Sequence, residues 1–221
     1  KFFDVGGGIG IRYEDEKQIV LYDYAQGILK SLSGLDVTIV CEPGRFITGA
    51  AGVFLTRVLY EKQNCGKRFV IVDGAMNDLI RPSLYGAHHD IEIVSASEGI
   101  NLDEAGDSEV NLGGRSSDQT SGSCADEKIL GGANLAEAGL CDVVGPICES
   151  GDFLAKGVSL PSLQSGDLLA IKSAGAYGFS MSSNYNTRPR AAEIAVYDGQ
   201  DRLIRKRESF DELIALEKDL V

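Results

Sequence analysis

Apolar and polar positions give the chain three textures. In the first, Phe2, Phe3 and Val5 predict a short strand that ends in Gly6-Gly7-Gly8-Ile9-Gly10. From about Asp15 to Leu32, Leu21, Ala25, Ile28, Leu29 and Leu32 recur at spacings of three and four. That period predicts a helix with one apolar face. Ser33-Gly34 supplies its stop signal, and Val37–Cys41 predicts the next strand. Strand, helix and strand in this order form one parallel α/β unit. A single unit cannot close a barrel or an open sheet.

After Ala50 the texture changes to short strands with turn signals between them. Val53–Tyr60 and Phe69–Asp73 flank Asn64-Cys65-Gly66-Lys67, which reads as a hairpin turn. Further strands are expected at Ile91–Val94, Asp142–Val144, Leu168–Lys172 and Glu193–Tyr197. Asp198–Asp201 turns the chain into a last strand at Arg202–Lys206. Ser209-Phe210-Asp211-Glu212 has the form of a capping box and predicts a C-terminal helix. The third texture, residues 97–139, is rich in Gly, Ser, Asp and Ala without a sustained period. It predicts an inserted, mobile surface loop. The expected fold class is therefore α/β plus all-β, divided into 1–50 and 51–221.

Composition narrows the function classes. With 43% hydrophobic and 24% charged residues among 221, the chain is ordinary globular material. No run approaches the roughly 18 apolar residues of a membrane span. A net charge of -12 disfavours nucleic acid and anionic membrane surfaces as partners. The five cysteines are odd in number and fit neither C-x-x-C nor a zinc spacing. With only two histidines, adjacent at His88-His89, no metal site is expected. Reduced thiols and the lack of a visible signal sequence point to the cytoplasm. The chain opens on a strand and not on Met, so a segment of a longer polypeptide is expected.

Candidate chemistry gathers in three places. Consecutive glycines after the first strand let backbone amides converge on a phosphate, or simply make a tight turn. Glu42-Pro43-Gly44-Arg45 lies at the carboxyl end of a strand, the edge where α/β barrels carry their active sites. A turn with a solvated arginine is the plainer reading. Cys148-Glu149-Ser150-Gly151-Asp152 sets a thiol beside a carboxylate after the buried run Val143–Ile147. On local grounds alone Cys148 reads as a small buried hydrophobe, Arg81 as a surface residue, and Tyr85 and Tyr177 as core-edge aromatics.

Five stretches stand in a telling order: Gly6-Gly7-Gly8, Glu42-Pro43-Gly44-Arg45, Asn77–Tyr85 with Arg81-Pro82 inside it, Cys148–Asp152, and Gly175-Ala176-Tyr177-Gly178. In that order they closely resemble the C-terminal half of the diaminopimelate decarboxylase family. That family belongs to the alanine-racemase-like pyridoxal-phosphate enzymes, which join a (β/α)8 barrel to a β-domain. The resemblance spans nearly the whole chain except 97–139. It implies that 1–50 are the end of the cofactor-binding barrel and 51–221 the β-domain.

The resemblance also implies roles. The reaction would be decarboxylation of meso-2,6-diaminopimelate to L-lysine and CO2, the last step of lysine biosynthesis. Pyridoxal 5'-phosphate would be the cofactor, acting as electron sink. Gly7, Gly8 and the backbone of Glu42, Pro43, Gly44 and Arg45 would cradle its phosphate, and Tyr177 would reach cofactor and substrate. Arg45 and Arg81, with Tyr85 and Glu149 beside them, would recognise the far end of the substrate. A planar guanidinium suits its carboxylate, and Glu149 its ammonium. Cys148 would be the proton donor, since a thiol is a plausible acid at neutral pH. Cys148 and Glu149 would serve the neighbouring subunit of a homodimer. His88, His89, Cys41, Cys65 and Cys141 read as structural, although His88, near Tyr85, could line the site.

One departure limits all of this. The lysine to which family members attach the cofactor lies early in the barrel, and no lysine of this chain sits in that motif. The segment alone is therefore expected to be inactive, with the N-terminal barrel half supplied elsewhere. Two other readings remain open: a sister decarboxylase acting on ornithine, arginine or carboxynorspermidine, and a non-catalytic segment that binds a partner. An ornithine-like substrate lacks the distal carboxylate and would leave buried arginine charge unpaired, a cost of several kcal/mol.

Overall fold

The first strand and the third predicted element meet as expected. β1 (Phe2–Asp4) and β2 (Thr38–Val40) pair in parallel, Phe2 opposite Thr38, with α1 (Leu21–Ser31) between them in sequence. The structure, a computed structural model, describes residues 1–13, 15–94, 139–218 and 220. The expected loop at 97–139 thus falls almost wholly outside the described residues.

α1 is shorter than its predicted span from Asp15. Val20 precedes it at φ -80°, ψ 106°, and no side chain caps the helix. The β-branched pair Ile19-Val20 favours extended backbone, and the apolar stripe itself begins only at Leu21. Among the described residues α1 has no fully buried side chain, and only Tyr24 and Ile28 are half-buried.

The second texture forms a six-stranded sheet in the order β5-β8-β3-β4-β6-β7. Its strands are β3 (Phe54–Asn64), β4 (Lys67–Val72), β5 (Ile91–Val94), β6 (Gly139–Val144), β7 (Phe153–Leu160) and β8 (Leu168–Ile171). Only β4 and β6 pair in parallel; the other neighbours are antiparallel. Cys65 and Gly66 turn the β3–β4 hairpin with φ of 49° and 77°. Two left-handed residues in a two-residue loop match the right-handed twist of the strands. β7 was not expected. Gly157 at φ 65° and register shifts against β6 break the alternation that would have announced it.

One face of this sheet holds the core: Val58, Val70, Val72, Leu79, Val143, Leu154, Leu169 and Ile171. A register shift between Val58 and Tyr60 changes which residues of β3 point inward, so Glu61 is buried and Tyr60 is not. Arg68 Nε donates to the Glu61 carboxylate at 3.1 Å, and the Leu163 amide donates to it at 2.7 Å. The inward charge is thus paired and hydrogen-bonded, as burial requires.

β9 (Glu193–Tyr197) and β10 (Gln200–Arg205) make a separate hairpin. Its turn is only Asp198-Gly199, at φ 50° and 72°, so β10 starts two residues before Arg202. The capping box is present: the Ser209 hydroxyl accepts from the Glu212 amide at 3.2 Å, and Glu212 accepts from the Ser209 amide at 2.8 Å. The helix that it opens, Phe210–Leu213, is a single turn. Cys41, Cys141 and Cys148 are free thiols. Cys65 is disulfide-bonded, which corrects the expectation that the thiols are uniformly reduced.

Candidate active site

Parallel pairing brings the carboxyl ends of β1 and β2 to one edge. The ladder continues past both strands: the Val5 amide donates to Val40 O at 3.0 Å and the Glu42 amide to Gly6 O at 2.8 Å. Gly7 therefore lies flat against Glu42. A Cβ on Gly7 would sit 2.5 Å from the Glu42 carbonyl oxygen, a distance no side chain tolerates. Gly8 takes φ 83°, with open space beside it. Among the described residues the amides of Gly7 and Gly8 make no hydrogen bond. The free amides of Gly7 and Gly8, at a strand edge beside the Glu42–Arg45 turn, suit a phosphate group.

After Pro43 comes a short helix, Gly44–Thr48, which carries Arg45. The Gly175–Gly178 stretch docks on its far end. The Gly175 amide donates to Gly49 O at 3.1 Å, and a Cβ on Gly175 would lie 2.0 Å from Thr48 O. Tyr177, next but one, adopts φ 62°. A left-handed tyrosine is strained, and such strain gathers where a side chain must be aimed.

Arg81 comes from a different part of the sheet. Residues 73–80 leave β4 and are tied down by polar contacts. Thr56 Oγ1 donates to Asp73 at 2.7 Å, the Met76 amide to Asp152 at 2.7 Å, and Asn77 Nδ2 to Ser183 O at 3.2 Å. They deliver α3 (Arg81–Tyr85) with its first residue turned inward. Arg81 is 8% exposed, and its Nε is buried without a hydrogen-bond partner. Its guanidinium lies 5.4 Å from the Tyr177 ring, 6.0 Å from Tyr85 and 5.9 Å from Tyr13. Arg45 lies 6.0 Å from that same Tyr13 ring. Among the described residues neither arginine has a carboxylate partner. Among the described residues two cations face a group of tyrosines with no carboxylate between them, an arrangement chemically able to receive a carboxylate.

Sequence reasoning missed two members of this cluster. Tyr13 follows the glycine loop in a stretch without a motif. His89 packs edge-on against it, ring centroids 5.5 Å apart. His89 Nδ1 is 2.8 Å from Lys172 O and must carry the proton there, while Nε2 is buried without a partner. Burial, chiefly, holds the imidazole below its usual pKa, and the nearby Arg81 charge adds to this. His88, its neighbour, lies 3.0 Å from Asp90 through Nε2.

Cys148 and Glu149 do not join the cluster. Their turn is fixed from beneath by Asp152, which accepts the amides of Ile147 at 2.6 Å and Met76 at 2.7 Å. Burial pushes the Asp152 carboxyl up, while those two amides pull it back. Both Cys148 and Glu149 are exposed. Glu149 lines a groove with Met76, Ile80, Ser83 and Tyr185, on the side of α3 that carries Ser83. Among the described residues no hydrogen bond or ion pair links either residue to Arg45, Arg81 or Tyr177.

Residues 19–175 match the family described as pyridoxal-dependent decarboxylase, C-terminal sheet domain. The diaminopimelate decarboxylase of Campylobacter jejuni is 53% identical over 219 residues, covering 99% of this chain and 45% of the relative. That of Aquifex aeolicus is 40% identical over 221 residues. The crystal structure of Helicobacter pylori diaminopimelate decarboxylase complexed with L-lysine superposes with a TM-score of 0.78 at 47% identity, covering 100% of this chain and 45% of that one. A lysine/ornithine decarboxylase from Vibrio vulnificus, at 22% identity and TM-score 0.61, shares the fold. The chain spans about half the length of the curated relatives it matches.

Proposed function

The chain belongs to the pyridoxal-dependent decarboxylase family, as its C-terminal sheet domain, and we propose that it completes an enzyme converting meso-2,6-diaminopimelate to L-lysine and carbon dioxide. In this reading residues 1–50 end the cofactor-binding barrel, residues 51–221 are the β-domain, and the N-terminal barrel half carries the cofactor's lysine. The observation that carries the substrate assignment is Arg81, buried, without a counter-ion among the described residues, and joined to Arg45 through the Tyr13 ring. A diacid substrate keeps one carboxylate to fill that place; ornithine has none.

Pyridoxal phosphate supplies the electron sink for the charge left when carbon dioxide departs. The residues here fit it through the free amides of Gly7 and Gly8 and the adjoining Glu42–Arg45 loop. The Tyr177 hydroxyl is a neutral donor toward phosphate or substrate. Arg45 and Arg81, flanked by Tyr85, hold the distal carboxylate, and Glu149 accepts the distal ammonium. Cys148 Sγ gives its proton to the carbon that has lost carbon dioxide.

The placement of Cys148 and Glu149 away from the arginine cluster supports their serving a second copy of the chain. Mixing two complete polypeptides, one carrying Cys148→Ala and one Arg81→Ala, tests this. Subunit exchange should restore activity, since one of the two sites in a mixed dimer is intact. Mixtures that stay inactive under exchange rule the sharing out.

The substrate assignment is tested by steady-state turnover of the complete polypeptide. It should prefer meso-diaminopimelate to ornithine, and Arg81→Ala should lower kcat/KM for the diacid by about 100-fold or more, the scale of a lost buried charge contact. Equal turnover of both substrates, or an Arg81→Ala enzyme as active as the parent, overturns it.

A further inference from the structure

Tyr13 is the only described residue whose ring lies within reach of both arginines. It belongs to none of the five ordered motifs. We propose that Tyr13 is a positioning residue: its ring holds the Arg45 and Arg81 guanidiniums in one receptor, and His89 holds the ring. The inference rests on reading Arg45 and Arg81 as the carboxylate-binding pair.

The physical need is plain. Arg45 stands on the short helix after β2, and Arg81 on α3 at the far end of β4. Like charges brought together from separate elements repel, and among the described residues neither has a carboxylate to hold it. The negative face of an aromatic ring attracts a guanidinium within about 6 Å. Tyr13 meets that condition for both cations at once, at 6.0 and 5.9 Å. A ring also leaves the guanidinium N–H edges free for a carboxylate, which a pairing Asp or Glu would not.

The ring needs a wall of its own, since it comes from a loop. His89 provides one. It is 1% exposed, tied to Lys172 O through Nδ1, and stands at 81° to the Tyr13 ring. A neutral imidazole adds no third cation behind the pair. The segment is anchored one turn earlier as well, where Ile11 fills the space beside Gly49: a Cβ on Gly49 would lie 2.6 Å from Ile11 Cδ1. Ile11 and His89 thus fix both sides of the stretch that presents Tyr13.

The probe pair is L-lysine and cadaverine, which share both amine-bearing ends but differ by one carboxylate. Binding of each to the complete polypeptide, loaded with cofactor, is measured by calorimetry for the parent, Tyr13→Phe, Tyr13→Leu and Tyr13→Met. The parent should prefer L-lysine. Tyr13→Leu and Tyr13→Met should each lose about tenfold in L-lysine affinity, equivalent to about 1.4 kcal/mol, with cadaverine affinity little changed. Tyr13→Phe keeps the ring and should retain the preference. Two results overturn the proposal: Leu and Met variants that keep the preference, or a loss shared equally by L-lysine and cadaverine. A parent that binds both alike instead removes the carboxylate-receptor reading itself, and this inference with it. Should one non-aromatic variant fail to fold, the other decides, and thermal melting of each variant identifies such a failure.

Discussion

Residues 54–171 and residues 1–51 differ in how they pay for their shape. The six-stranded sheet closes its own core, with Val58, Val70, Val72, Val143, Leu169 and Ile171 fully shielded. The N-terminal unit has the periodicity of a helix packed on a sheet, yet α1 buries no residue, and Leu21 and Leu29 are about half exposed. Of its large apolar side chains only Ile9 is buried. The candidate site straddles these two regions. Its Gly6–Gly8 and Glu42–Arg45 loops stand on the unit without a core, and Arg81 and Tyr177 stand on the sheet that has one. An apolar stripe left largely exposed is a surface open to a partner of matching pattern.

The largest effect should separate the two regions directly. In the 221-residue chain, Leu169→Ala should cost about 2–5 kcal/mol of unfolding free energy, whereas Leu29→Ala should cost less than about 0.5 kcal/mol. Urea denaturation of both variants measures the difference. Equal losses would mean that α1 already packs as tightly as the sheet. Repeating Leu29→Ala in the complete polypeptide sharpens the contrast, since a buried stripe should then register a loss of core size.

A smaller effect is expected at the phosphate loops. Gly7→Ala forces a methyl group against the Glu42 carbonyl, and overpacking of this kind costs about 1–3 kcal/mol. The loss should appear as weaker cofactor retention in the complete polypeptide, followed by absorbance after dialysis. The unfolding midpoint of the sheet should stay where it is. Unchanged retention would remove Gly7 from the cradle.

The smallest effect is a pH slope. Burial lowers the folded pKa of His89 below its ordinary value of 6.5, so the unfolded chain binds the proton more readily. The stability it contributes is complete above pH 6.5 and is lost as pH falls from there through the lowered folded value. Between pH 7 and pH 5 the stability of the parent should fall. His89→Asn keeps a donor for Lys172 O and should flatten that part of the profile. A parent and variant with parallel profiles would show that His89 does not titrate in this window.

Much of the local structure was legible in the sequence, because it is decided by neighbours a few residues apart. The Cys65-Gly66 turn needs two left-handed residues in succession, and the Ser209–Glu212 box closes on itself. The strand–helix–strand unit follows from period alone, although the start of α1 does not, since nothing caps it. The register shift in β3 reversed the parity of Glu61, and Gly157 concealed β7, both through pairing with strands distant in sequence. Motif order carried the family and most candidate site residues. What the sequence could not contain is the meeting of residues 13, 45, 81, 89 and 177 around one pair of cations. No spacing encodes it, because it is made by two sheets' edges and the loops between them. Nor does any spacing say that Glu149, so near Arg81's helix, meets its Ser83 side and not its Arg81 side. Side-chain contacts at long range are set by packing, and packing exists only once the chain has folded.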